Sequence, residues 1–418
     1  MIPAAPQPPG QCYLVGGAVR DGLLGMQASE RDWVVVGSDQ AAMEAAGYKA
    51  VGLDFPVFLH PKNGEEFALA RTERRSGPGH RGFVVDADPT VSLEEDLRRR
   101  DLSVNAMARS PEGALIDPWG GQADLDKRLL RHVSEAFVED PLRILRVARF
   151  AAKLGPWGFR LHPDTRSLLK EMVAQGMLAE LSPERVWKEL SRALMTDQPQ
   201  RFFELLREVG ALQVVLPELE AQFGVPQTAK WHPEIDAGLH TLLCLQASAH
   251  AKDQLAVRFA VLCHDFGKGI TPESILPSHH GHEMRGLPLV EAVCQRLRVP
   301  KECKELALKV CQWHLHAHRA AELRPETLLK ALEGLDALRR PQRLEDFLAA
   351  CTADARGRTG HEKDEYPQAG IYRAALKAAL SVDAGAIARQ AAGPTQIPEA
   401  IRKARTEAIA ALPRGGAD

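Results

Sequence analysis

The sequence predicts an α+β fold: a sheet-forming stretch up to about residue 135, then an almost entirely helical remainder. The first part interleaves short apolar runs such as Trp33–Val36 and Phe67–Ala70 with loops rich in Gly and Pro, and no later stretch shows that pattern. From Asp140 onward the spacing becomes helical, with Leu142, Leu145, Val147, Ala148 and Phe150 on one face. Ser182-Pro183-Glu184-Arg185 then reads as an N-cap followed by Pro in the first helical turn. With 418 residues and 45% hydrophobic content, the chain can form two to four domains around large cores.

The opening from Met1 to Gly10 lacks the basic region and apolar core of a signal peptide and reads as a disordered tail. Tyr13-Leu14-Val15-Gly16-Gly17-Ala18-Val19-Arg20-Asp21 carries the first chemistry. A Gly-Gly pair lets backbone N–H groups approach phosphates with no side chain in the way, and Arg20 can clamp one of them; alone, such a pair mostly marks a turn. Then comes Glu30-Arg31-Asp32-Trp33-Val34-Val35-Val36-Gly37. Side chains alternate along a strand, so Glu30 and Asp32 project from one face and Arg31 from the other. A carboxylate at a strand entrance is commonly a solvated edge or a turn former. Here two of them follow a Gly-Gly pair within about twenty residues and precede a strand apolar on both faces. In that setting they read as oxygen ligands for Mg²⁺ beside a bound triphosphate, and hence as phosphoryl chemistry on a nucleotide. Glu66 is either a third carboxylate of the same site or an exposed edge residue.

A net charge of −2 gives no global field for nucleic acid, so any RNA contact must use local basic surfaces. Arg71, Arg74, Arg75 and Arg81, the triplet Arg98–Arg100, and Arg143, Arg146, Arg149, Lys153 and Arg160 supply them, although each alone reads as solvated charge. The seven cysteines include no CxxC pair, which argues against a disulfide framework or zinc ribbon and fits a reducing cytoplasm. No apolar run approaches the ~20 residues of a membrane span, so a soluble protein is expected.

Two further clusters stand out in the helical part. Glu139-Asp140-Pro141-Leu142-Arg143 places Pro at a helix start and puts Asp140 and Arg143 at i, i+3, which read locally is a cap with a salt bridge. Ten of the fifteen histidines fall between His232 and His318, a density that marks a candidate metal site. Within it, His264-Asp265 can reach one metal together, although that dipeptide alone is common.

Through YLVGGAVRD, RDWVVVG, FPVFLHP, ALARTERRSG, RRRDLSVNAMA, IDPWGG, RLLRHVSEAFVEDPLRILRVARFAA, KWHPEID and LCHDFGKG, in that order, the chain resembles class II nucleotidyltransferases. It is most similar to the bacterial multifunctional CCA-adding enzymes, which build the CCA end on tRNA. The similarity runs from about Tyr13 to the region of Arg358 and weakens afterwards. One departure is Glu30, where the family usually has aspartate; glutamate keeps the charge and is one methylene longer, a conservative replacement.

The resemblance implies a disordered tail at 1–10, a nucleotidyltransferase α/β head at 11–135 and a helical neck and body with a base-recognition segment at 136–236. An all-α HD phosphohydrolase domain at 237–338 and a helical C-terminal region at 339–418 follow. It implies template-independent addition of CCA from CTP and ATP, with Glu30 and Asp32 holding Mg²⁺, Gly17 and Arg20 orienting phosphates, and Arg100, Arg146 and Arg149 contacting the nucleotide. Asp140 and Arg143 then resemble the family's amino-acid template for the incoming base. Cytosine and adenine each offer an amino donor beside a ring-nitrogen acceptor, whereas guanine and uracil present the opposite order and would leave both protein groups unpaired, at ~1–3 kcal/mol each.

In the second site the family's order of ligands falls on His240, His264, Asp265 and Asp354. His280, His282 and His314 can add a second metal or bind phosphate, Lys268 can hold the substrate phosphate, and His316 and His318 read as surface residues. This site implies 2′,3′-cyclic phosphodiesterase, 2′-nucleotidase and phosphatase activity with Mg²⁺ or a transition metal such as Ni²⁺. A degenerate HD fold kept for tRNA binding is the bland alternative. The rival readings of the whole chain are a poly(A) polymerase using ATP alone and a phosphohydrolase whose head merely binds RNA. Expected partners are tRNA, ATP and CTP but no membrane, with the chain cytoplasmic and a monomer or homodimer.

Overall fold

The computed structural model describes residues 7–27, 31–51, 57–75, 83–390 and 393–413; Glu30 and Arg81 lie outside them. The chain divides into two compact units, Met1–Glu189 with Glu208–Ala211, and Leu190–Arg207 with Leu212–Asp418.

In the first unit the strands are β1 (Gln11–Val15), β2 (Asp32–Val36), β3 (Lys49–Val51), β4 (Val57–Leu59), β5 (Glu66–Leu69), β6 (Thr72–Arg75), β7 (Phe83–Asp86), β8 (Ala108–Arg109) and β9 (Leu115–Ile116). Among the described residues they form a mixed sheet in the order β3-β4-β5-β2-β1-β8-β9, with β6 and β7 as a separate hairpin. β1 runs antiparallel to β2 and β8, and β2 runs parallel to β5. The double-sided apolar character of β2 has a direct cause. Val34 enters a core with Val15, Leu97, Ala106 and Ala108 on one face, while Val35 enters another with Met43, Tyr48, Phe58 and Leu69. Each such burial is worth ~1.5–3 kcal/mol.

The helices of this unit are α1 (Gly17–Leu23), α2 (Gln40–Ala45), α3 (Leu93–Arg98), α4 (Gly121–Asp126), α5 (Leu142–Leu154), α6 (Pro163–Ala174) and the start of α7 (Pro183–Leu194). Helix α3 opens on a reciprocal Ser92–Glu95 capping box. Helix α5 buries Ile144, Leu145, Val147, Ala148, Ala151 and Ala152, so it is enclosed on most sides and not a half-exposed amphipath, with Arg146 and Arg149 partly exposed. One expectation needs correction: sheet pairing does not stop before residue 135, because Leu129–Leu130 (β10) pairs in parallel with Arg160–Leu161 (β11). Two residues are too few to leave an alternating pattern.

The second unit is helical. After α8 (Gln200–Glu208), α9 (Leu212–Val215) and α10 (Pro217–Glu220) come α11 (Ala237–His250), α12 (Leu255–Cys263), α13 (His282–Arg296), α14 (Lys301–His318), α15 (Pro325–Gly334), α16 (Gln342–Arg356), α17 (Gln368–Leu380), α18 (Ala384–Gln390) and α19 (Ile397–Ala410). Helix α12 packs against α11, α14 and α16, and buries every residue from Val257 to Cys263, as a central helix must. Helix α13 packs on α14 and on the 3₁₀ turn Phe266–Ile270. That contact is backbone on backbone. A Cβ on Gly267 would stand 1.9 Å from the His282 carbonyl oxygen and 2.7 Å from the Gly286 nitrogen, so only glycine fits. Helices α15, α17 and α19 pack together near the C-terminus. The seven cysteines are free, and no helix among the described residues is long and apolar enough to cross a membrane.

Two candidate active sites

Strand register assembles the first site. Val15 lies opposite Asp32, and Asp32 lies opposite Glu66, so the Asp32 and Glu66 carboxylates leave the sheet side by side, next to the Gly16–Gly17 turn. Both residues are exposed, and β5 lies between β4 and β2, so Glu66 stands on an inner strand and not at an edge. Two neighbouring carboxylates at a solvent-facing strand end fit a hard divalent cation.

Gly16 caps α1 at φ 69° and ψ −131°, and a Cβ there would sit 2.9 Å from Arg100 Nη1. Arg100 is tied to Asp96 Oδ2 through Nη2 at 3.2 Å, and its buried Nε has no hydrogen-bond partner. A bare turn and an unmatched guanidinium N–H together suit an anionic ligand. Arg20 is buried: Nε donates to Asp21 Oδ1 at 2.8 Å, Nη2 lies 2.6 Å from the same oxygen, and Nη1 donates to Asn105 Oδ1. Arg20 therefore braces α1 against the Ser103–Asn105 turn, and only the N–H groups those bonds leave over can serve a phosphate.

Asp101 ties that turn to α5. Its carboxylate accepts from the Leu102 N–H at 2.8 Å, from Asn105 Nδ2 at 3.0 Å and from Arg146 Nε at 2.7 Å. Burial pushes its pKa up, but the Arg146 guanidinium and the Asn105 amide outweigh burial and hold it well below the usual carboxylate range. Arg149 Nε lies 2.5 Å from Glu189 Oε2. Arg20, Arg146 and Arg149 gather around the Phe150 ring, with centroid distances of 5.2, 5.9 and 4.3 Å. Gly17, Arg20, Arg146 and Arg149 thus converge where α1 meets α5 around Phe150, with Arg100 against the turn.

Asp140 and Arg143 begin the same helix. Asp140 Oδ1 accepts from the Leu142 N–H at 3.0 Å, and Oδ2 accepts from Arg185 Nη2 at 2.8 Å. Buried Arg143 donates to the carbonyls of Ala136 at 2.9 Å and Arg99 at 2.5 Å. Asp140 thus caps the helix, but the cation it meets is Arg185, forty-five residues on, which sequence reading missed and nothing local signals.

The second site is built from lone pairs. The Nδ1 atoms of His264, His282 and His314 lie 2.7, 2.8 and 3.0 Å from the main-chain carbonyls of Val261, His279 and Val310. A carbonyl only accepts, so each Nδ1 carries a proton and each Nε2 is the atom left to give a lone pair to a cation. His240 Nδ1 lies 2.8 Å from Glu234 Oε1, with the same result. These Nε2 atoms face carboxylate oxygens: His240 to Asp354 Oδ1 at 3.0 Å, His264 to Asp265 Oδ2 at 3.1 Å, and His282 to Asp265 Oδ1 at 3.1 Å. His282 and His314 even face each other Nε2 to Nε2 at 3.1 Å. Both Asp265 oxygens and His264 Nε2 are buried without a hydrogen-bond partner. Acceptors this close repel one another unless a proton or a metal cation lies between them.

Beside a group of His232, Glu234 and His240, two donor groups meet at Asp265: His240, Cys244, His264 and Asp354, and Asp265, His282 and His314; within each, ligand atoms lie within 4.8 Å of one another. Asp265 turns one oxygen toward each group, so the set fits a divalent cation and has room for two. Burial lowers the pKa of His264, yet Asp265 and Asp354 overcome it and raise it to about 9, which restates the demand for a positive charge here. Lys268 meets Asp265 Oδ2 at 2.6 Å and donates to Gln227 at 2.6 Å.

His318, which the sequence leaves as a surface residue, reaches Asp354 Oδ2 at 2.7 Å. It follows His314 by four residues on α14 and so shares its face, a spacing that signals the contact. Glu234, which orients His240, went unnoticed because its partner is six residues away, across the entry to α11. His316 meets Trp313 edge to face at 4.9 Å between ring centroids, and His280 is exposed.

Three family models match the chain: Poly A polymerase head domain over residues 12–131, Probable RNA and SrmB- binding site of polymerase A over 158–223, and HD domain over 238–354. A Multifunctional CCA protein of Thioalkalivibrio sulfidiphilus is 58% identical over 400 residues, covering 96% of this chain and 98% of the relative. One from Pseudomonas aeruginosa is 55% identical over 401 residues, with the same coverage. Among solved structures, the Thermotoga maritima CCA-adding enzyme complexed with tRNA matches with a TM-score of 0.64 at 20% identity, covering 96% of this chain and 87% of that one. The Bacillus stearothermophilus CCA-adding enzyme in complex with CTP matches at 0.62 and 24% identity, covering 96% and 88%, and both share its fold. A nucleotidyltransferase head, a helical remainder and an HD domain holding the histidine cluster, with this identity over nearly the full length, place the chain in the family of multifunctional CCA proteins.

Proposed function

We propose that the chain adds CCA to tRNA 3′ ends from CTP and ATP without a nucleic-acid template, and that its HD site hydrolyses phosphate esters at RNA ends. The observation that carries the first activity is the Asp32–Glu66 pair in register beside the bare Gly16–Gly17 turn. Mg²⁺ held by Asp32 with Glu66 and Glu30 supplies, when bound, acidification of the attacking 3′-hydroxyl and screening of the triphosphate. The N–H groups of the turn, the unmatched Arg100 Nε and the outward N–H groups of Arg146 hold phosphate oxygens. The 3′-oxygen attacks the α-phosphorus in line, one P–O bond forms, the α–β bridge breaks, and pyrophosphate leaves.

Asp140 and Arg143 read the base edge. To do so Asp140 releases Arg185 and Arg143 releases the Ala136 and Arg99 carbonyls, which couples base choice to a rearrangement at the start of α5. In the HD site, Ni²⁺ or another imidazole-loving divalent ion supplies, when bound, an acidified water and a polarised phosphoryl group. Glu234 and the Val261, His279 and Val310 carbonyls fix the imidazole tautomers, and Lys268 offsets the charge of Asp265.

Incubation with a tRNA lacking CCA and each labelled triphosphate in turn tests the reading. Addition of C followed by A is expected. Addition of A alone would make the chain a poly(A) polymerase, and release of phosphate without incorporation would leave a hydrolase with an RNA-binding head.

A further inference from the structure

Asp265, His282, His314 and Asp354 of the HD donor set line a cavity of about 670 Å³. That is room for some twenty water molecules at ~30 Å³ each, far more than the five heavy atoms of a phosphate fill. Its lining has three features that neither the metal ligands nor the fold require. Trp231 lines the cavity yet stays 57% exposed, with Lys230 Nζ 4.7 Å from its ring centroid. Exposed tryptophan is costly, and nothing in the packing calls for it there. Gln227 is buried; its Oε1 accepts from Lys268, and its Nε2 has no partner. Gln368 donates to the His318 carbonyl at 3.5 Å, and its buried Oε1 has no partner. The cavity thus offers a flat apolar platform, a donor beside the phosphate end and an acceptor near the Asp354 side, in a volume that a nucleotide fills.

We propose that Trp231 is a stacking platform for the nucleobase of a bound nucleotide, so that this one side chain sets the preference of the HD site for nucleotides over base-free phosphate esters. Gln227 Nε2 donates to a phosphate oxygen, and Gln368 Oε1 accepts from a ribose hydroxyl. Every base has a π-face, so the platform selects for a nucleotide without selecting a sequence. The proposal rests on the phosphohydrolase reading of this site.

Release of inorganic phosphate from adenosine 2′-monophosphate and from base-free glycerol 2-phosphate separates the two. With metal-loaded full-length chain, Trp231→Ala is expected to raise KM for the nucleotide about tenfold with kcat within about twofold, and to leave kcat/KM for glycerol 2-phosphate unchanged. Trp231→Phe, which keeps a ring, restores most of the loss. An equal effect on both substrates, or none on the nucleotide, overturns the platform while Asp265→Asn still abolishes both hydrolyses. If the parent releases no phosphate from either ester, or Asp265→Asn releases it at the parental rate, the phosphohydrolase reading fails instead. Calorimetric binding of adenosine 2′-monophosphate then decides the platform: loss in Trp231→Ala keeps it, and equal affinity overturns it.

Discussion

In the head, four arginines of the candidate site already have a carboxylate: Arg20 has Asp21, Arg100 has Asp96, Arg146 has Asp101 and Arg149 has Glu189. In the HD site the carboxylates and imidazoles face one another, with Lys268 beside Asp265 and His318 beside Asp354, and the Asp265 oxygens lack hydrogen bonds. The first arrangement is stable as it stands and holds positive groups ready for an anion. The second is incomplete without a cation. On the proposed reading, the two candidate sites thus differ in charge, one surface suiting a triphosphate and one pocket suiting a metal.

The sharpest break of that comparison is Asp32→Asn, expected to lower C and A incorporation together by about 10³-fold while phosphate release by the HD site persists. Incorporation of either nucleotide at the parental rate would remove Asp32 from the chemistry. Next in size, His264→Ala should cut phosphate release at least about a hundredfold and lower the transition-metal content of the purified chain, with CCA addition continuing. Simultaneous loss of CCA addition would show that the two sites do not act independently.

A smaller effect is expected at the base edge. Asp140→Ala or Arg143→Ala should relax discrimination against U and G by about tenfold in competition assays. Unchanged misincorporation, with the circular dichroism spectrum preserved, would confine Asp140 to capping α5 and holding Arg185. The smallest effect is on stability. The folded pKa of Asp101 lies below its unfolded value of ~3.9, so its stabilisation is present above about pH 4 and is lost as pH falls through the folded pKa. Asp101→Asn should therefore cost about 2 kcal/mol at pH 7, and the gap from the parent should narrow at pH 3 in urea unfolding. A gap independent of pH would detach the Asp101–Arg146 pair from acid sensitivity.

Whatever depends on local spacing was legible in the sequence. The unbroken apolar run of β2 predicts a strand buried on both sides, and Pro141 and Pro183 mark two helix starts within a residue of where they occur. The resemblance also pointed to four histidine and aspartate positions that the fold brings together, His240, His264, Asp265 and Asp354. What eluded reading depends on approach in space. Arg185 meets Asp140 only because α7 returns beside α5, and Arg160–Leu161 is a strand only because Leu129–Leu130 is there to pair with it. Glu66 looks the same as an edge residue or as a neighbour of Asp32 until the strand order is known. His318 was the exception, since its helical spacing from His314 could have revealed it.

The crossing at Gly267 limits how this chain can vary. Asp265 and His282 are held at their separation by two main chains in contact, with no side chain between them to repack. A core built from side chains absorbs an added methyl by shifting rotamers, whereas two touching backbones must part by the full width of the group. At this one position the hydrogen atoms of a glycine set the spacing of a candidate metal site, and the smallest change a codon can make there moves two candidate ligands at once.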